Sequence, residues 1–293
     1  MKVSKPDKVL FPEDGITKGD LADYYERVAG PILRHIKDRP ISMQRFPDGI
    51  GKKGFFHKDV PDYFPDWIKR VTVPKQNGTV THAVTCDADT LVYLADQACI
   101  TPHVWLSRSD ELERPDRMVF DLDPSNGSFA EVRSAARSLG ELLDGLGLVP
   151  FAMTTGSRGL HVWVPLRRKA GFDEVRQFAR DVARVMVSSA PDQLTLEARK
   201  QKRGERILID IMRNAYAQTA VPPYAVRPKV GAPVATPLRR GELSDSSLRP
   251  DKFTLRNVGR RLSRSGDPWK EIARHARGLG PARHRLDKLL GDD

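Results

Sequence analysis

Apolar residues recur along this chain with two periods, and the switches between them mark alternating helices and strands. Leu21, Tyr25, Val28, Ile32 and Ile36 are spaced for one helical stripe that ends before Pro40. Between Phe46 and Phe56, Pro47, Asp48, Gly49 and Gly51 precede the Phe55-Phe56 pair, which predicts a hairpin or lobed loop. A polar run from Ser107 to Arg117 reads as a connection between modules. Beyond it the pattern sharpens. Arg117 to Pro124 is a short apolar strand closed by proline, and Ser128 to Glu131 has the form of a capping box. Phe129, Val132, Ala136, Leu139, Leu143 and Leu146 then alternate in steps of three and four, a buried helical stripe. A strand over Phe151–Thr154 turns through Thr155–Gly159 into a second over Leu160–Val164. A helix carrying Phe172, Val175, Ala179, Val182 and Met186 follows, and then a strand over Arg206–Asp210.

This order predicts an α/β (α+β) protein: a mixed N-terminal module over residues 1–110, and an RRM-like or ferredoxin-like catalytic sheet within 117–293. Its helices occupy one sheet face, leaving the opposite face for a site. A basic helical tail with Arg256, Arg260, Arg261, Arg264, Arg274 and Arg277 closes the chain.

Composition narrows the partners. The 293 residues are 39% hydrophobic and carry a formal net charge of +11, which attracts nucleic acid or an acidic membrane alike. No apolar run approaches the roughly 20 residues that span a bilayer, and Met1 to Pro6 lacks a signal-peptide core. The expected location is the cytoplasm, with no membrane partner. Cys86 and Cys99 are the only cysteines and lack metal-ligand spacing, so two reduced, buried thiols are expected.

Asp121 and Asp123 stand two apart on a strand, so their carboxylates leave one face while Phe120 and Leu122 take the other. Such neighbours repel unless a divalent cation bridges them. Asp210, ending another strand of the same expected sheet, supplies a third hard oxygen suited to magnesium or manganese. Three acids at strand ends fit phosphoryl transfer with two ions. An isolated DxD is equally a solvated strand end, and the haloacid-dehalogenase phosphatases also place DxD after an apolar strand. The Thr155–Gly159 turn, with His161 beyond it, offers amides, hydroxyls and a guanidinium for a triphosphate, or is a plain hairpin. Arg199, Lys200, Lys202, Arg203 and Arg206 precede Asp210 as phosphate-facing cations or a solvated basic loop. Arg227 sits in a stretch limited by Pro223 and Pro228, which suits an anion clamp or a stiff connection. Two functions fit these residues by themselves: a metal-dependent phosphatase or nuclease, and a non-catalytic nucleic-acid-binding module.

The ordered motifs Asp7–Pro12, Gly54–Lys58, Val119–Pro124, Thr155–His161, Ile209-Asp210 with Asn214, and Pro223–Arg227 resemble the polymerase domain of bacterial ligase D, a branch of the archaeo-eukaryotic primases. The resemblance runs from about Lys5 to Trp269. It implies a template-directed primase-polymerase, a nucleotidyltransferase that adds NTP or dNTP to a primer 3′-hydroxyl. Gap filling or end processing in DNA break repair, with a preference for ribonucleotides, goes with it. Asp121, Asp123 and Asp210 are by this resemblance the catalytic, metal-binding acids for two ions, Mn2+ or Mg2+. His103, Thr155, Ser157, Arg158, His161, Arg203, Arg213 and Arg227 form the nucleotide pocket. Lys8 and Lys18 grip a downstream 5′-phosphate on gapped or broken DNA, with Phe55 and Phe56 as a wedge beside the template. A separate DNA ligase and Ku are the implied protein partners, and the length implies a stand-alone or excised polymerase domain. The departures surround the triphosphate: Gln44 and Arg158 stand where lysine is expected, Thr155 where serine is, and Arg213 where glutamine is. Arginine in place of lysine keeps the charge but presents a planar fork of donors.

Overall fold

The computed structural model describes residues 1–75, 77–125 and 128–291. The chain divides into two compact units, one made of residues 1–110, 219–236 and 253–267, the other of 111–218, 237–252 and 268 onward. The chain thus leaves the first unit after Asp110 and returns to it twice, carrying Arg227 with it.

In the second unit the strands Ile207–Asp210, Arg117–Asp123, Leu160–Pro165 and Phe151–Thr154 lie side by side in that order, each antiparallel to its neighbour. Numbered by sequence this is 4-1-3-2, the ferredoxin-like order that the pattern predicts. Among the strands the sequence pattern missed, Leu194-Thr195 adds a short parallel strand beside Ile207–Asp210. The helices Phe129–Gly145 and Phe172–Ser189 pack on this sheet, burying Val132, Leu139 and Leu143 from one and Val175, Phe178 and Val182 from the other. Met118, Phe120 and Leu122 are fully buried, and their cross-strand partners Val164, Val162 and Leu160 share their face. Ser128 caps the first of these helices by position only. Its side chain makes no capping bond.

The face opposite the helices is not open from end to end. Trp163 and Trp269 are buried with their rings 6.1 Å apart, Phe151 lies 5.8 Å from Trp269, and the Arg117 guanidinium sits 5.1 Å over Trp163. The segment expected as a basic tail supplies part of this cover. Trp269 is buried there, because indole surface is worth more against the sheet than in water, whereas Leu279, Ala282 and Leu286 are buried on the last helix, which packs on Phe172–Ser189.

In the first unit, Cys99–Trp105 runs between Thr219-Ala220 and Arg39–Arg45. Arg39–Arg45 pairs with Gly78–Thr85 at its Arg39 end and with Phe55–His57 at its Arg45 end, closing the expected hairpin with Arg45 opposite Phe55. Gly78–Thr85 pairs in turn with Arg70–Lys75. The single helix expected over Leu21 to Ile36 is two, Lys18–Arg27 and Ala29–Ile36. Pro31 accounts for the break, since its ring excludes the carbonyl of Arg27 and it has no N–H to give. Three positions into the second helix it is tolerated. Thr17 and Asp20 form a reciprocal capping box at the start of the first.

Candidate active site

Strand register gathers the acids. Asp210 pairs directly with Asp121, and Asp121 pairs on its other side with His161, so the three side chains form a row across neighbouring strands. Directly opposed residues project from the same face, with Cβ atoms about 5 Å apart. Asp123 joins them two residues along. Asn214 secures this arrangement: its amide, fully buried, accepts from Val119 N (2.8 Å) and donates to Val119 O (2.7 Å) and Ile211 O (3.0 Å). A side chain here continues the ladder past the end of the Asp210 strand.

The Thr155–Gly159 turn is pressed onto the acid-bearing strand. A Cβ on Gly159 would stand 2.0 Å from the Leu122 carbonyl oxygen, so no other residue fits without displacing that strand. Thr155 is buried and its hydroxyl donates to Gly159 O (3.0 Å) while accepting from Ser157 N (3.3 Å). As the side chains lie, the Thr155 hydroxyl holds the turn. Ser157 is half-buried and Arg158 exposed at the tip.

Each acid is matched by a donor. Asp123 accepts from Arg158 at 3.2 Å and from Arg203 at 3.4 Å. Arg213 lies 3.8 Å and His161 Nε2 3.4 Å from Asp121 Oδ2. Asp210 Oδ1 accepts from Met212 N at 2.7 Å. Of the basic run before Asp210, Arg203 is buried and fixed by Glu197 O (2.9 Å) and Ala198 O (2.6 Å), whereas Arg206 caps carbonyls of its own loop. Trp163 Nε1–H donates to His161 Nδ1 (3.4 Å), leaving Nε2 to carry the proton toward Asp121. The alternation of the Leu160–Pro165 strand puts Trp163 on the side of His161, a signal the sequence reading passed over.

Among the described residues, no three carboxylate, imidazole or thiol groups stand close enough together to hold an ion as the side chains lie. The carboxylates face guanidinium and amide donors instead, which offset their repulsion. The donor set nevertheless fits a hard divalent cation: three carboxylates on one sheet face, held in fixed register, with only side-chain rotation between them and a common ligand.

The first unit holds the remaining expected residues. His103 Nε2 lies 3.2 Å from Gln44 Oε1, and the Phe56 ring meets the His103 ring edge-on at 5.1 Å. Phe55 and Phe56 are 46% and 55% exposed, which excludes ordinary hairpin core. Arg227 is held through its backbone, with its N–H on Pro233 O at 2.7 Å. The same segment is anchored at Tyr224, whose phenol donates to Asp267 (2.8 Å) and whose carbonyl accepts from Tyr24 (2.8 Å). Burial, and then the Asp267 carboxylate, push the Tyr224 phenol far above its ordinary range, so it remains a donor.

Lys8 and Lys18 are brought together by a backbone bond, Lys18 N to Lys8 O at 2.8 Å, but their side chains differ. The Lys8 ammonium is accessible, 3.4 Å from Asp48. Lys18 is buried, its ammonium donating to Ser4 Oγ, Asp96 O and Asp96 Oδ1. As the side chains lie, all three Lys18 donors go to Ser4 and Asp96, whereas Lys8 stays accessible.

Residues 17–269 match the family model of the LigD primase-polymerase domain. The multifunctional non-homologous end joining protein LigD of Mycobacterium bovis is 35% identical over 90% of this chain and 36% of its own length. LigD of Pseudomonas aeruginosa is 32% identical over 97% of this chain and 34% of its length, and the bifunctional LigD of Bacillus subtilis 31% over 96% and 46%. The chain spans between about a third and a half of these relatives. The solved polymerase domain of Mycobacterium tuberculosis ligase D, in complex with DNA, superposes with a TM-score of 0.89 at 33% identity, over 94% of this chain and 99% of that one. The row of acids, the turn locked against it and these likenesses agree: the chain belongs to the LigD primase-polymerase family and is a polymerase of the nucleotidyltransferase class.

Proposed function

We propose that the chain fills short gaps at broken DNA ends, extending a primer 3′-hydroxyl with nucleoside triphosphates in the context of end joining. The carrying observation is the register of Asp210, Asp121 and His161 across three strands, with Arg158 and Arg203 on Asp123 beside them. In the reaction a bond forms between O3′ and the α-phosphorus, the bond to the β-phosphate oxygen breaks, and pyrophosphate leaves. Asp121, Asp123 and Asp210 are the residues that hold divalent metal. Two manganese or magnesium ions bound there supply the Lewis acidity that favours the attacking alkoxide and offsets charge on the leaving pyrophosphate. Arg158 and Arg213 release the carboxylates and turn to the triphosphate, where a guanidinium fork suits phosphate oxygens, and Arg203 meets it from its fixed position. Ser157, His161, His103 and Arg227 complete the nucleotide contacts, and Thr155 contributes by shaping the turn.

Phe55 and Phe56 stack against template bases, and Lys8 meets the downstream 5′-phosphate. A preference for ribonucleotides, cooperation with Ku and a separate ligase, and a cytoplasmic, nucleoid-associated location belong to the same proposal. No helix among the described residues is long and apolar enough to cross a membrane. The test is extension of a gapped duplex with manganese or magnesium and each nucleotide type. Growth of the primer only with triphosphate and metal is expected; strand cleavage or phosphate release without triphosphate, and no growth, overturns the reading.

A further inference from the structure

The helix Val258–Ser265 and the residue leading into it carry Arg256, Arg260, Arg261 and Arg264, and no acid occurs from Lys252 to Gly266. Arg260 and Arg264 are four residues apart on the helix and both exposed, one stripe along one face, and Arg256 is exposed in the turn before it. Arg261 lies off that stripe and folds its guanidinium 4.6 Å over the Phe253 ring, a packing role. The opposite face is seated in the first unit through buried Leu255 and Val258. Among the described residues, Arg260 and Arg264 make no side-chain hydrogen bond or ion pair, and Arg256 gives one N–H to Asp14 O at 2.5 Å. The nearby acids are engaged. Asp267 is held by His35 and Tyr224, and Asp14 accepts from Gly231 N. Arg256 lines a cleft of about 600 Å3 with Arg27, Gly259, Leu262 and Ser263.

Two guanidinium groups about 6 Å apart along a helix, with Arg256 in the turn before it, make a short cationic track. A charge run whose own element and neighbours offer no counter-ion is matched by a polyanion of similar repeat, and a nucleic-acid backbone is one. We propose that this stripe is a contact surface for the phosphate backbone of duplex DNA, in addition to the contacts of Lys8, Phe55 and Phe56. It rests on the reading of the chain as a DNA polymerase and adds a place where duplex is held without regard to sequence. A phosphate track needs charge and reach rather than a fixed fork, so lysine serves as well as arginine.

The experiment measures binding of a blunt duplex several turns long across a salt series, for wild type, Arg260→Ala/Arg264→Ala and Arg260→Lys/Arg264→Lys, with primer extension in parallel. Two lost phosphate contacts lower the log-log salt slope by about 1.8, which corresponds to roughly 60-fold weaker binding at 0.1 M salt and converges near 1 M. The lysine variant keeps the wild-type slope. Both arginines are exposed, and thermal unfolding confirms that each variant is folded. If the alanine variant keeps the wild-type slope, or the lysine variant loses as much as the alanine one, the stripe is not a phosphate track. A wild type that extends primers while the alanines leave the slope unchanged sinks the stripe alone. A wild type that neither binds nor extends removes the polymerase reading with it.

Discussion

Lys18 sets its ammonium 2.8 Å from the Asp96 carboxylate, with only 6% and 11% of the two side chains exposed. Burial alone would raise the Asp96 pKa, but the hydrogen bonds from Lys18 and Ser4 outweigh it and hold the carboxyl below its ordinary 3.8. A depressed carboxylate stabilises the fold fully above its unfolded pKa, and that contribution fades as pH falls below 3.8 through the folded value. Lys18→Met leaves a charge with little solvent, and should cost about 3 kcal/mol in urea unfolding near pH 7. Much of this should return in Lys18→Met/Asp96→Leu. A Lys18→Met protein as stable as wild type would show that the pair is not formed.

Of the two lysines proposed for the downstream phosphate, Lys8 has the accessible ammonium. Wild type should prefer gaps bearing a 5′-phosphate over a 5′-hydroxyl, and Lys8→Ala should lose about tenfold of that preference, the worth of one charge-assisted hydrogen bond. Binding to matched gapped duplexes measures it. Retained preference in Lys8→Ala would reassign the grip.

For the acids, Asp121→Asn, Asp123→Asn and Asp210→Asn should each lower extension by about 10³-fold or more, because several kcal/mol of transition-state stabilisation depend on the held metal. DNA affinity should change little. Substantial extension by the Asp210 variant would remove that residue from the set.

Gly159→Ala tests the turn. With 2.0 Å between the added carbon and Leu122 O, either the turn or the acid-bearing strand must move. About 2 kcal/mol of stability is expected to go, together with most extension activity. An active enzyme of wild-type melting temperature would show that the contact relaxes without consequence.

Period and strand order were legible in the sequence wherever the core dictated them: Met118, Phe120 and Leu122 on one side of a strand leave Asp121 and Asp123 on the other, and the acids follow. Pro31 carried a legible break that the apolar stripe from Leu21 to Ile36 masked. What stayed hidden depends on partners far along the chain. Nothing local to Lys18 announces Asp96, and the hydroxyl of Thr155 is committed by a carbonyl four residues on. The cover over Trp163 comes from Trp269, beyond any pattern of period two or three and a half.

The chain's two returns to its first unit bear on how the protein is born. Synthesis proceeds from the N-terminus, yet His35 waits for Asp267, 232 residues later, and the Cys99–Trp105 strand waits for Thr219-Ala220 to cover its edge. A nascent chain halted before residue 219 leaves that edge bare, open to pairing with a neighbouring strand. Emergence of residues 219–267, rather than of residues 1–110, is then the event that completes the first unit. Proteolysis of chains stalled on either side of Asp267 would show it: the shorter should be cut within residues 1–110 and the longer spared.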